Sequence, residues 1–165
     1  MLIAVAIYCV YSYGADLAPL ARFGYPGVAI LMVLSSSTII LPAPGFAAVL
    51  LAGAVWNPLF VGVAAGLGAA TGELTGYALG IGGTAVLDLR ESKNWKRVHW
   101  WLERRGGLAI FVLALIPNPL FDLLGMVAGT VAYPVRKFWL ICVVGNCAKY
   151  SAMAYLTSTA VSWWA

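Results

Sequence analysis

Long apolar runs alternate along the chain with short punctuation by proline, glycine and charge, and the run lengths decide what each can become. A bilayer core of about 30 Å takes roughly 20 helical residues. Leu59–Leu87 and Phe138–Trp164, with 29 and 27 residues, are long enough to cross. Tyr25–Leu41 and Gly45–Trp56 are shorter and are separated by Pro42-Ala43-Pro44; Gly107–Ile116 and Leu120–Ala132 are separated in the same way by Pro117-Asn118-Pro119. Proline lacks an N–H and pushes the preceding residue out of the α region, so a Pro-x-Pro inside an apolar run stops a helix. In hydrocarbon such a break is tolerated only where it is buried in protein or lines a wet cavity. Each break therefore predicts a re-entrant helical hairpin with its tip (Pro42, Pro44 and Gly45; Pro117 and Pro119) inside the molecule, the alternative being a pair of kinked spans. The run Met1–Tyr13 predicts a short N-terminal membrane helix, since no basic segment of the kind that opens a signal peptide precedes it.

The two breaks are related. Pro42-Ala43-Pro44 matches Pro117-Asn118-Pro119 at an offset of 75, and one inserted residue makes the offset 76, which aligns Ala52-Gly53 with Ala128-Gly129, Pro58 with Pro134 and Glu73 with Lys149. Interrupted apolar segments in corresponding places of two halves point to a transporter-type site at a repeat interface. The expectation is an all-α membrane protein: an inverted repeat of two re-entrant helical hairpins, each followed by a long transmembrane helix, plus a short N-terminal membrane helix. It forms one integral membrane domain over 1–165, with 1–24 as helix and linker, 25–87 as the first repeat, 88–106 as an amphipathic loop and 107–165 as the second repeat.

Composition removes the soluble alternatives. Apolar residues make up 62% of the chain and charged residues 10%, against roughly 45–50% and about 25% in soluble domains. The 10 Lys+Arg exceed the 6 Asp+Glu by four, and most of the excess lies in Asp88–Arg105, where six cations face three acids. That segment should remain cytoplasmic, which reports topology at a cell (plasma) membrane and argues against a nucleic-acid partner. An inverted repeat returns Arg136 and Lys137 to the same face. Within the segment Trp95, Val98, Trp101 and Leu102 recur at helical spacing opposite Lys93, Lys96, Arg97 and Arg104, the pattern of an interfacial helix. The cysteines Cys9, Cys142 and Cys147 are odd in number and lie in apolar runs; they read as small buried hydrophobes, with neither a disulfide nor a metal site expected. No cofactor signature is present.

Three ionisable residues fall inside the apolar runs: Glu73, Asp122 and Lys149. A charge at mid-bilayer costs roughly 2.5–3.5 kcal/mol on insertion scales, so each should face the interior, pair, or meet water. Glu73 and Lys149 form either an ion pair that clamps the halves or a proton- or phosphate-responsive centre, with Asp122 beside it. Lys149 follows Gly145 and Asn146, and Asn118 offers an amide between prolines; both amides join the candidate substrate- or proton-binding set. Tyr77, four residues after Glu73, either hydrogen-bonds the carboxylate or lies at an interface. Gly68, Gly72, Gly76 and Gly80 recur every four residues around Glu73 and predict one smooth helix face for close packing, in the monomer core or in a homodimer; Gly53, Gly129 and Gly145 are packing candidates as well. No Ser-His-Asp, Cys-His or paired-carboxylate arrangement occurs, so the chain reads as no enzyme.

These residues resemble a family. Gly24-Tyr25-Pro26-Gly27, Leu41-Pro42-Ala43-Pro44-Gly45, Leu51-Ala52-Gly53 and Gly68-Ala69-Ala70-Thr71-Gly72-Glu73 with Tyr77 and Gly80 resemble the first half of the DedA/VTT (SNARE-associated) membrane proteins. Gly106-Gly107, Phe111, Ile116-Pro117, Ala128-Gly129, Phe138 and Gly145 resemble the second. The resemblance implies two re-entrant hairpins in inverted repeats and movement of lipid between leaflets, of polyprenyl phosphate in bacterial members and of phospholipid in eukaryotic relatives. Many members carry an acidic residue after the first Pro-x-Pro, where this chain has Phe46, and arginines flanking the second, where it has Ala114 and Leu120; Asp122 and Lys149 are what it offers instead. The expected function is that of a membrane lipid transporter of flippase or scramblase type, with membrane lipids, anionic phospholipid or polyprenyl phosphate among them, as partners. A proton- or ion-coupled solute transporter and a membrane scaffold are the alternatives.

Overall fold

A computed structural model of the chain describes residues 23–37, 43–87, 93–116 and 120–164. Six helices make up these segments: α1 (Gly24–Ser37), α2 (Ala43–Val55), α3 (Pro58–Leu87), α4 (Lys93–Leu115), α5 (Leu120–Thr130) and α6 (Val135–Trp164). The expected N-terminal helix, Pro42, Pro117, Asn118 and Pro119 lie outside the described residues. At about 1.5 Å per residue, the 30-residue α3 and α6 are about 45 Å long, whereas α1 (14 residues) and α2 (13) are about 20 Å.

Local chemistry sets the helix ends. Asn57 caps α3 through its side-chain oxygen, which accepts from the Leu59 N–H at 3.0 Å, and Pro58 occupies the first turn, where a missing N–H costs nothing. The end of α5 is a Schellman turn: Tyr133 N–H donates to the Ala128 carbonyl and Ala132 N–H to that of Gly129. The left-handed residue of that turn is Ala132, at φ 52°.

α3 lies at the centre, packed on α1, α2, α5 and α6. Its contact with α6 is antiparallel. Gly62 meets Ser151, Gly66 meets Cys147, and Tyr77 stacks on Phe138. α1 and α2 fold back on each other, with Gly45 against Met32 and Ser35 at one end and Tyr25 edge-on to Trp56 at the other. α1 runs parallel to α3 (Ala29 at Gly68, Val33 at Gly72), while α2 runs parallel to α6 (Phe46 at Tyr150, Ala154 at Gly53). The second pair, α4 and α5, does the same with the long helices exchanged. α4 runs parallel to α6, with Gly107 at Ile141 and Ala114 at Gly145, and α5 runs parallel to α3, with Gly125 beside Glu73 and Gly129 on Tyr77.

Two apolar clusters result. Val28, Met32, Val49, Val61, Ala69, Tyr150 and Ala154 join α1 and α2 to both long helices; Tyr77, Ile110, Ala114, Val131, Phe138 and Cys142 join α4 and α5 to both. The outside is apolar too, with Leu59, Phe60, Val63 and Leu67 of α3 and Leu140, Val144 and Leu156 of α6 exposed. Lipid-facing helices gain little from hydrophobic association and rely on close contact of small residues, which is what the glycine and alanine seams supply.

Three expectations are revised. The glycine series of α3 does not form a single contact face: Gly68 and Gly72 meet α1, Gly80 meets the Met126 carbonyl of α5, and Gly76 is half-buried. Residues four apart on a 3.6-residue helix drift by about 40°, so the stripe winds from one neighbour to the next. Second, of the two runs expected to cross, one among the described residues, Pro58–Gly83 in α3, is both long and apolar enough; α6 has the length, but Asn146 and Lys149 in its middle dilute it. Third, no break occurs at Gly106-Gly107. The basic segment and the first half of the second pair form one continuous 23-residue helix, α4.

Candidate functional site

Three of the buried polar side chains, Glu73, Asn146 and Lys149, gather where the two apolar clusters meet. On α3, Glu73 falls between Ala69 and Tyr77; on α6, Cys142, Asn146 and Tyr150 recur every four residues on the face turned to α3, with Lys149 adjoining. Asn146 donates from Nδ2 to Glu73 Oε1 at 3.2 Å. Cys142, one turn before Asn146, brings its thiol to the same carboxylate and lies within electrostatic reach of Lys149. All four are buried, Asn146 and Cys142 completely. Asn146 Oδ1 accepts no hydrogen bond from the described residues.

Lys149 also meets an aromatic ring. Its Nζ lies 4.6 Å from the centre of the Tyr150 ring, within cation–π range, and Phe46 of α2 packs on the same ring at 5.8 Å. A carboxylate, an amide, a thiol and an ammonium thus share one buried neighbourhood bounded by α2, α3 and α6. Such a set can bind a proton, or exchange an internal contact for a polar headgroup.

Of the residues singled out in the sequence, Glu73, Asn146 and Lys149 come together. Tyr77 does not join them: its hydroxyl donates to the Tyr133 carbonyl and its ring stacks on Phe138 at 5.3 Å, so it clamps the end of α5 to α3. Asp122 stands in the first turn of α5 and Pro44 in that of α2, with side chains outside the described part. Gly45, Gly53, Gly68, Gly72, Gly80, Gly129 and Gly145 are close-packing points, since a Cβ on any of them would collide with a neighbouring helix. Sequence reasoning missed Cys142, Tyr150 and Phe46 as parts of the centre, and Gly62 and Gly66 as the seam between α3 and α6. The four-residue spacing of Phe138, Cys142, Asn146 and Tyr150 was the signal available.

The comparison with known proteins decides the family. The VTT domain matches residues 42–159. The chain belongs to the VTT-domain family. Vacuole membrane protein KMS1 of Arabidopsis thaliana is 31% identical over 93 residues, covering 54% of this chain. The matched segment covers 22% of that relative's length. No solved structure matches. Family and composition together make this a membrane protein.

Proposed function

We propose that this VTT-domain protein is a lipid transporter of flippase or scramblase type, with phosphate-bearing lipid headgroups passing the Glu73–Asn146–Lys149 centre. The observation that carries the reading is a buried acid, amide and ammonium at the junction of two helix pairs, inside a bundle whose outside is apolar. Ionisable groups at such depth mark substrate or ion pathways. Asn146 Oδ1 is an acceptor for a donor that a headgroup or its water brings, and leaving a buried acceptor unmet costs about 1–3 kcal/mol.

The helix directions support an inverted repeat. Each pair lays its first helix along the long helix of its own half and its second along the long helix of the other, and Gly53 on Ala154 matches Gly129 on Tyr77. At about 20 Å, α1 and α2 fall short of a 30 Å core, which favours re-entrant hairpins over spans. With the basic start of α4 on the cytoplasmic side of a cell membrane, the first hairpin enters from outside and the second from within. Polyprenyl phosphate and phospholipid both present a phosphate that Lys149 could meet as a point charge. The reading is of transport, with no catalytic step.

The test is leaflet exchange by purified protein in liposomes, with a short-chain polyprenyl phosphate and a fluorescent phospholipid side by side, with and without a pH gradient. The wild type moves at least one of them, and Glu73→Gln and Lys149→Gln each slow it tenfold or more. Movement unaffected by either substitution removes the centre from the mechanism. Inserted, folded protein that moves neither lipid overturns the reading.

A further inference from the structure

The molecule is polarised along its long helices. Since α3 and α6 are antiparallel, the start of α6 lies at the end where α3 finishes, and α4, running parallel to α6, brings its basic turns there as well. Gly107 of α4 abuts Ile141 and the Tyr133 hydroxyl, which sets Arg104 and Arg105 level with Arg136 and Lys137. All four are exposed. The Arg104 guanidinium lies 4.5 Å from the centre of the Trp100 ring. At the opposite end aromatic rings gather, with Tyr25 in edge contact with both Trp56 and Phe60 and Trp163 exposed.

Below the cations each helix continues as an outward apolar ridge. Arg104 is followed on its own face by Leu108, Val112 and Leu115, and Arg136 by Leu140 and Val144, at spacings of three or four residues, all exposed. The ridges lie on parallel helices that touch at Gly107 and Gly145. A soluble anion would use the cations alone and a neutral lipid the ridges alone. A negatively charged amphiphile uses both.

We propose that the Arg104/Arg105/Arg136/Lys137 end is a docking surface for anionic phospholipid, with the headgroup against the cations and an acyl chain along the α4 and α6 ridges. Charge complementarity favours this occupant: Arg104, Arg105, Arg136 and Lys137 bring four positive charges together, and Glu103 is the one acid adjoining them in the chain. Basic surfaces of this kind beside membrane helices recognise anionic headgroups, at about fivefold in affinity for each well-placed cation. The surface is separate from the Glu73 centre and does not depend on whether lipid crosses there.

The experiment is electron spin resonance on the full chain in phosphatidylcholine vesicles carrying a trace of spin-labelled phosphatidylglycerol or phosphatidylcholine, in which the motionally restricted fraction reports relative association. Wild type should favour phosphatidylglycerol about fivefold or more at low salt, less at 0.5 M salt, where exposed charges are screened within a few ångströms. Replacing Arg104, Arg105, Arg136 and Lys137 with glutamine should bring the ratio near one, whereas replacing the upstream Lys93, Lys96 and Arg97 should leave most of it. Equal loss in both variants would mean a diffuse field in place of a site and would overturn the proposal. A wild type without preference would overturn it too, and that arm needs no variant to fold.

Discussion

A buried carboxylate in a membrane bundle needs donors, and α6 brings two small side chains to Glu73. Asn146 and Cys142 reach it from one helix turn apart on α6. Lys149 extends the same face and rests against Tyr150, which Phe46 holds from α2. A phenylalanine at that place links the first hairpin to the ammonium by packing. At Ala132 the chain accepts strain instead of relieving it, because a left-handed residue other than glycine costs roughly 1–2 kcal/mol. Ala132 is exposed, so Ala132→Gly meets no new contact. Offset by about 0.4–1 kcal/mol of unfolded-chain entropy, it should stabilise by up to about 1 kcal/mol, read as a higher thermal midpoint in detergent.

The elements depend on how closely their backbones approach. α3 offers three seams in succession around its circumference: Gly62 and Gly66 to α6, Gly68 and Gly72 to α1, and Gly80 to α5. A helix so used cannot carry side chains at those points, whereas Gly82 of the same helix faces open space. The same substitution two residues apart should therefore have opposite signs. Gly80→Ala drives a Cβ into the Met126 carbonyl and should cost more than about 2 kcal/mol through overpacking. Gly82→Ala should be neutral or stabilise by up to about 1 kcal/mol from helix propensity. Thermal midpoints of the purified variants in one detergent compare them directly, and equal effects would mean that the seam between α3 and α5 is not as close as described.

For the whole molecule, the short helices decide the topology. α1 and α2 lie antiparallel, and each is about 20 Å long against a bilayer core of about 30 Å. Cysteine labelling checks the hairpin in a background with Cys9, Cys142 and Cys147 replaced by alanine. Asn57→Cys is exposed at the open end and should react with a membrane-impermeant maleimide from one side. Ser37→Cys, at the far end of α1, should not react from the opposite side; reaction there would make α1 and α2 a pair of spans. The polarity between basic and aromatic ends belongs to this scale as well, since it needs α4 and α6 side by side and α3 reversed against them.

Much of this was legible in the chain. Apolar run lengths and the prolines fix where helices start and stop, because a missing N–H and a restricted preceding residue act locally. α1, α2, α3, α5 and α6 accordingly lie within a few residues of the runs read from the pattern. The rarity of charge in apolar sequence marked Glu73 and Lys149, because burying charge in hydrocarbon is costly wherever the helix lies. Local signals could not say which helix each glycine would meet, since a stripe that winds by about 40° every four residues can serve several neighbours. Nor could they say that Tyr77 would spend its hydroxyl on Tyr133, or that the basic segment would continue through Gly106-Gly107 as one helix supported by α6. The sequence by itself determined an all-helical membrane protein with polar groups at its centre. Only the tertiary structure decided their partners, because hydrogen bonds and close contacts between distant residues depend on the packing of whole helices.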